Sequence, residues 1–149
     1  MKKDQKGPIF YRGVYIGAPA EEVWKALTVP KIIDEYYLLP IFTLELKQGG
    51  KILYGKDEKH IGISGEILEI IPRKKLVHSF SFPQIPNDPP SRVTYELEEM
   101  GKVTLLKLTH DQFPEEDKTY QNISHGWDRI LSDLKTFLET GKVLPWSKN

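Results

Sequence analysis

The sequence predicts an α+β fold, in which a strongly bent antiparallel sheet of seven strands packs against one long C-terminal helix. Short runs that alternate apolar and polar residues, separated by turn residues, fill the middle of the chain. A run with apolar residues three and four positions apart follows near the C-terminus. Strands joined by hairpins need a second layer to cover their apolar face, so the helix is expected to lie across the sheet.

Composition limits the class of protein. The chain has 149 residues, the usual length of one domain, so we expect residues 1–149 to form one domain whose core needs no staples. It has no cysteine, which leaves no thiol for a disulfide or a metal. Its 21 basic and 21 acidic residues balance, and this neutrality gives no support to binding of nucleic acid or of an anionic membrane.

The N-terminal residues 1–20 imitate a secretion signal. Early lysines precede an apolar stretch, but Arg12, Gly13 and Gly17 interrupt that stretch before a continuous apolar run forms. No other apolar run approaches the roughly 20 residues that span a membrane. We therefore expect a cytoplasmic protein without a membrane span.

The first part of the chain predicts a strand and two short helices. Apolar and polar residues alternate over residues 10–16, as in a half-buried strand. Pro19 fits the first position of a helix, and Val23 and Leu27 belong to the apolar stripe of that helix. A second short helical piece is expected after Pro30.

Six further strands are expected before the last helix. They are residues 42–46, 51–55, 60–71, 75–82, 92–99 and 102–110. Glycine lets a strand bend, so we expect the sheet to bend at glycines within and between these runs. These glycines are Gly49, Gly50, Gly62 and Gly65. The proline-rich segment 83–90 is expected to form a loop at the rim of the sheet.

The last helix is predicted over residues 124–141, after an acidic loop at 114–118 whose carboxylates we expect to be solvated. Gly141 is expected to end the helix, because glycine commonly follows the last helical turn. The apolar stripe already begins upstream of the predicted start. The stripe consists of Tyr120, Ile123, Trp127, Ile130, Leu134 and Phe137. Gly126 lies inside this helix, where glycine costs about 1 kcal/mol relative to alanine. Two explanations stay open: close backbone packing, or space for a ligand beside Trp127.

No histidine pattern predicts a metal site or a cofactor. The four histidines are His60, His78, His110 and His125, and they are far apart in the sequence. His110 continues the apolar parity of Leu106 and Leu108, so it either points toward the concave side of the sheet or lies half exposed at a strand end. Because the sequence places no partner beside it, we assign no catalytic residue.

A set of aromatic residues is expected to line one space between the sheet and the helix. These residues are Phe42, Tyr54, Phe80, Phe82, Tyr95 and Trp127. The remaining predicted ligand contacts are Leu108, His110, Ile123, Ile130 and Leu134. Such a stripe is typical of a plain core and also of a ligand cavity, and the residues alone do not separate the two.

Four phrases, in this order along the chain, carry a resemblance to a known superfamily. They are "APAEEVWKALTVPKIIDEYY" (18–37), "GEILEIIPRKKLVHSFSF" (65–82), "RVTYELEEMGKVTLLKLTHDQF" (92–113) and "GWDRILSDLKTFLETG" (126–141). The sequence resembles the SRPBCC superfamily, also called START-like or birch-pollen-allergen-like. Within it, the sequence is most similar to homologues of the C-terminal domain of the heat-shock-protein-90 ATPase activator.

The resemblance implies a helix-grip fold, with two short N-terminal helices, a curved seven-stranded sheet around the C-terminal helix, and an apolar cavity between them. Relatives bind lipids, sterols or polyketides, some are cyclases or aromatases, and one branch assists a chaperone. Many carry two tryptophans where this chain has Tyr36 and Tyr37. We expect a module that binds a small apolar or amphipathic molecule. The alternatives are a polyketide cyclase or aromatase that uses His110, Tyr54 or Tyr95, and a module that contacts a chaperone.

Overall fold

The computed structural model describes residues 7–113 and 118–146, and in these it shows one antiparallel sheet, a long C-terminal helix and two short N-terminal helices. The strands are β1 (Phe10–Ile16), β2 (Ile41–Leu44), β3 (Lys51–Gly55), β4 (Ile61–Ile71), β5 (Lys75–Phe80), β6 (Ser91–Met100) and β7 (Val103–Asp111). The helices are α1 (Ala20–Thr28), α2 (Pro30–Tyr36) and α3 (Lys118–Thr140). The predicted α+β helix-grip architecture is confirmed. The expectation that the acidic loop is solvated concerns residues 114–117, which lie outside the described residues.

The sheet has the strand order β1-β7-β6-β5-β4-β3-β2. Strands β2 to β7 follow one another as a meander, and β1 joins at the far side by pairing with β7. Phe10 lies opposite His110 in this pair, and Ile16 lies opposite Thr104. Helices α1 and α2 therefore connect the two edge strands of the sheet.

Strand β4 forms the corner at which the sheet bends. Its first part pairs with β3, and its last part pairs with β5. At the junction, a β-carbon on Gly65 would collide with the backbone carbonyl oxygen of Ser79, so only glycine allows the strands to approach there. One register irregularity coincides with a predicted glycine, because the pairs Tyr54–Ile63 and Gly55–Ile61 leave Gly62 of β4 without an opposite residue. Another lies between Ile67 and Glu69, where no glycine was predicted.

Helix α3 lies across the concave face and begins earlier than the predicted Ser124. The backbone N–H and the hydroxyl of Thr119 both donate to Asp88 Oδ2, at 3.1 and 3.0 Å. This carboxylate satisfies a backbone donor of the first turn, as an N-cap residue does. It comes from the proline-rich loop at 83–90, so the predicted rim loop is attached to the helix.

The N-terminus of α1 differs slightly from the prediction. Pro19 has extended backbone angles and is the cap residue before Ala20, rather than the first helical residue. Glu21 and Glu22 lie in the first turn, where their negative charges interact favourably with the positive end of the helix dipole.

Among the described residues, no helix combines the length and the apolar character that a bilayer span requires.

Candidate functional site

An apolar pocket lies between α3, the segment that follows α2, and the ends of β4 and β5. Its volume is about 280 Å³, close to the lower end of the roughly 300–1,000 Å³ typical of ligand sites. The aromatic lining residues are Tyr37, Phe80, Phe82 and Trp127. The aliphatic ones are Leu38, Leu39, Ile63, Ile123 and Ile130, and the lining is completed by Gly126 and Asn122.

One wall of the pocket is formed by one face of α3. Ile123, Trp127 and Ile130 recur every three or four residues and therefore share one face of α3. All three are buried. Their apolar side chains face the pocket because this stripe is also the one that covers the sheet. The same periodicity thus makes the core and the wall of the pocket.

The opposite wall depends on Tyr37. Its ring stacks on the ring of Tyr54 with centroids 4.3 Å apart, and it meets the ring of Trp127 edge to face at 6.2 Å. The neighbouring Tyr36 hydroxyl donates to the backbone oxygen of Ala26 at 2.6 Å, which ties α2 to α1. Burial raises the pKa of both tyrosines well above the usual value. Both phenols are therefore neutral.

Gly126 borders this pocket at the mouth side of α3. A β-carbon at this position would contact the Cδ1 atom of Leu38 at 3.4 Å, an ordinary van der Waals distance. No backbone approaches Gly126 closely in the part of the chain that the structure describes. The geometry therefore favours open space over close backbone packing as the reason for the glycine.

Behind the pocket, His110 is held in one tautomer by two partners. Trp127 Nε1 donates to His110 Nδ1 at 2.9 Å, and because an indole N–H can only donate, Nδ1 must be unprotonated. The imidazole proton is then on Nε2 and is donated to Ser91 Oγ, 2.7 Å away. The Ser91 hydroxyl in turn donates to the carbonyl oxygen of Phe80 at 3.2 Å. In this series of hydrogen bonds from the Trp127 indole to the Phe80 carbonyl, each polar side-chain atom has a partner.

This arrangement excludes a serine–histidine nucleophile in the structure as it stands. A general base must accept the serine proton, whereas His110 donates to Ser91. The imidazole is fully buried, and burial, together with the nearby His78, lowers the pKa of His110 to about 3. The interpretation of His110 as half exposed is wrong, and its direction toward the concave side is confirmed.

His78 is a second buried imidazole near the site. Its Nδ1 lies 2.7 Å from the carbonyl oxygen of Ser79, to which it donates, so its Nε2 carries the free lone pair. Among the described residues this Nε2 atom has no hydrogen-bond partner. Burial lowers the pKa of His78 to about 4. Its ring lies 6.1 Å from that of Tyr95.

Five of the predicted site residues line the pocket, five lie in the core behind it, and Phe42 belongs to neither group. Those that line the pocket are Phe80, Phe82, Ile123, Trp127 and Ile130. Those that lie buried behind it in the core are Tyr54, Tyr95, Leu108, His110 and Leu134. Phe42 is half-buried, and its neighbour Ile41 packs in the core, opposite Tyr54. The register shifts between Ile41 and Thr43, which is why simple alternation selects Phe42.

The prediction omitted five of the eleven residues that line the pocket. The omitted residues are Tyr37, Leu38, Leu39, Ile63 and Asn122. Leu38 and Leu39 stand between a short helix and Pro40, a connection in which apolar residues lack a partner nearby in the sequence. That placement is the one signal that could have identified them.

A more open groove continues the pocket outward. It has a volume of about 520 Å³ and shares Leu39, Phe82 and Asn122 with the pocket. Gln84 and Ile85 of the loop between β5 and β6 form its outer side. Within residues 7–113 and 118–146, no three histidine, aspartate or glutamate side chains come close enough together to hold a metal ion. The site offers apolar surface with two amide side chains at its outer end.

Several known proteins are similar to this chain. CalU16 from Micromonospora echinospora is 26% identical over 89% of this chain and 77% of its own, with a TM-score of 0.72. An HSP90 activator from Plasmodium falciparum is 25% identical over 89% of this chain and 97% of its own, with a TM-score of 0.75. The Aha1 dimer from Colwellia psychrerythraea, 20% identical, shares the fold with a TM-score of 0.73 over 91% of this chain and 98% of its own.

None of the curated proteins matches the sequence. Residues 17–139 match the family model described as activator of Hsp90 ATPase homolog 1-like protein. This match covers most of the chain and confirms the branch that the four sequence phrases indicated. The protein therefore belongs to the family of activator of Hsp90 ATPase homolog 1-like proteins.

Proposed function

We propose that the protein is a binding module that holds a small apolar or amphipathic molecule between the sheet and α3. The observation that supports this function is the open apolar pocket beside Trp127, lined mostly by aromatic and aliphatic side chains. A folded protein normally fills such a space, because each unfilled void forfeits packing contacts. A glycine that keeps the space open, at a cost in helix propensity, is expected where a ligand supplies the missing contacts.

The outer groove extends this proposal to amphipathic ligands. An apolar body fits the pocket, and a polar end can reach the amides of Gln84 and Asn122 in the groove. The match over residues 17–139 supports the further proposal that residues 1–149 form one domain. That the protein acts in the cytoplasm stays a prediction from the sequence.

Binding is tested by mass spectrometry and by one substitution. Native mass spectrometry of the purified protein should show a co-purified small molecule, or binding of an added neutral fluorophore such as N-phenyl-1-naphthylamine. Gly126→Leu fills the pocket from its wall and should weaken fluorophore binding by at least about tenfold, since an occupied cavity cannot also hold the ligand. Gln121→Leu, an exposed change on the same helix, is the matched control and should leave binding unchanged. Equal binding by wild type and Gly126→Leu would contradict the proposed site.

A second candidate is an interaction module that stimulates the ATPase of a heat-shock protein 90. The family match and the similarity to the Plasmodium falciparum activator favour it. The ATPase rate of a purified heat-shock protein 90 should rise when this protein is added, and Gly126→Leu should not change the effect if the contact is on the surface. An unchanged ATPase rate at saturating protein, with no detectable complex, would contradict this candidate.

The cyclase or aromatase alternative has less support from the site. His110 has both ring nitrogens engaged, and Tyr54 and Tyr95 are buried phenols whose pKa values burial raises. None of the three lines the pocket. A general acid or base must reach the proton it transfers, so we propose no catalytic residue.

A further inference from the structure

We propose that the pocket selects an uncharged ligand with an aromatic body of about two rings, whose polar end donates a hydrogen bond to Asn122. This inference deepens the proposed binding function and rests on it. It concerns four properties of the ligand: its size, its ring character, its charge and its hydrogen-bonding end.

Size follows from the volume of the pocket. A cavity of about 150 Å³ lined by leucine, isoleucine and phenylalanine holds one benzene molecule. The pocket beside Trp127, at about 280 Å³, is nearly twice as large. Two fused or linked rings therefore fit it, and a larger ligand has to extend into the groove beside Gln84.

Ring character follows from the aromatic lining. Tyr37 comes from the segment after α2, Phe80 and Phe82 come from the end of β5 and the residues just after it, and Trp127 comes from α3. Rings therefore approach the space from three sides. Phe80 and Phe82 meet edge to face, with centroids 5.1 Å apart. Aromatic pairs prefer offset-stacked or edge-to-face contacts, which a flat ligand offers on its faces and its edges. An aliphatic chain gains only the apolar contact.

Charge is disfavoured by what surrounds the space. Among the described residues, those that line the pocket and the groove include no lysine, arginine, histidine, aspartate or glutamate. A charged group buried without a partner is strongly disfavoured. The nearby loop carries Asp88, whose carboxylate accepts hydrogen bonds from Thr119 and adds negative charge on this side. An anionic ligand therefore finds no compensating group in the lining.

The polar end of the ligand is assigned from Asn122. Its amide nitrogen donates to the carbonyl oxygen of Lys118 at 2.8 Å, one turn earlier in α3. The amide oxygen is then the atom that can accept a hydrogen bond from the ligand. A ligand hydroxyl suits Asn122 best, because it can donate to this oxygen and can also accept from the second amide N–H, whereas a carboxylate can pair only with that N–H.

Two dyes with nearly the same rings test the charge. N-phenyl-1-naphthylamine is neutral, and 8-anilinonaphthalene-1-sulfonate carries the same three rings with a sulfonate, so in each dye two rings fill the pocket and the third extends into the groove. The neutral dye should bind at least about tenfold more tightly, because the sulfonate finds no cation in the lining. Equal affinities that both fall in Gly126→Leu would overturn the charge selection and leave the binding function intact. If equal affinity were lost in Lys118→Gln, the exposed Lys118 would be the anion partner, which also overturns it.

Two competitors test the contact with Asn122. In displacement of N-phenyl-1-naphthylamine, 2-naphthol should compete several-fold better than naphthalene, and Asn122→Leu should abolish that advantage while naphthalene competes as before. An advantage that persists in Asn122→Leu would overturn the assigned contact. Failure of the two dyes and the two naphthalenes alike to bind would overturn this inference together with the proposed function.

Discussion

Gly126 lies where α3 passes the mouth of the pocket, and the absence of its side chain contributes to the open space. Alanine fits there at an ordinary contact distance of 3.4 Å from Leu38 Cδ1. Since alanine is also the better helix former, Gly126→Ala should raise the free energy of unfolding by about 0.5–1 kcal/mol. Urea unfolding of the wild type and the variant measures this change. A destabilised Gly126→Ala would mean that close packing, rather than open space, explains the glycine.

His110 shows how far a single residue can be predicted from sequence. Strand alternation places it on the inner face with Leu106 and Leu108, and the structure agrees. Its partners, Ser91 and Trp127, are 19 and 17 residues away, and no periodicity pairs them. Because the tautomer depends on those partners, the position of the imidazole proton could not be derived before the fold was known.

At the scale of elements, α3 is supported from outside its own sequence. Asp88 accepts two hydrogen bonds from Thr119 in the first turn of the helix. Losing a capping acceptor typically costs about 0.5–2 kcal/mol, so Asp88→Ala should lower the free energy of unfolding by about that amount. Asp88→Asn, which keeps an acceptor oxygen, is the control and should retain most of the stability. If the two variants unfold alike, the capping bond contributes nothing measurable.

The strands and helices were largely predictable because each follows a local period. Alternation gives all seven strands within a few residues of their observed bounds, and spacings of three and four give the inner face of α3. The wrong predictions occur where contacts between distant parts of the chain override the local periodicity. A shift of register in β2 brings Ile41 inward in place of Phe42, and the Asp88 contact accompanies a start of α3 at Lys118.

At the scale of the whole molecule, the expected apolar cavity between the sheet and α3 lies toward one end of the sheet. The rings of Tyr95, His110 and Trp127 meet in the centre of the space, where edge-to-face pairs fill it. The pocket beside Trp127 lies beyond Phe80, toward Leu38. Sequence patterns place residues on a face, but they do not determine where side-chain volumes fill a space and where they fall short.

The two buried imidazoles make the stability of the whole fold depend on pH. His78 and His110 are neutral in the folded state, with pKa values lowered by burial to about 4 and about 3. In the unfolded chain a histidine titrates near 6.5, so below that pH the unfolded state binds more protons than the folded state. The stability that is present above about pH 6.5 should therefore fall with decreasing pH, by up to about 1.4 kcal/mol per pH unit for each histidine, until the folded pKa is reached.

Urea unfolding at pH 7.5, 6 and 5 measures this slope, and a variant assigns it to a residue. His78→Leu removes one of the two groups, and it should reduce the loss between pH 6 and pH 5 by about half, whatever its effect on stability at pH 7.5. His125 is exposed on α3, so His125→Gln is the matched control and should leave the slope unchanged. A free energy of unfolding that stays constant from pH 7.5 to pH 5 would show that both imidazoles can bind protons within the fold, and the neutral Trp127–His110–Ser91 arrangement would then be wrong.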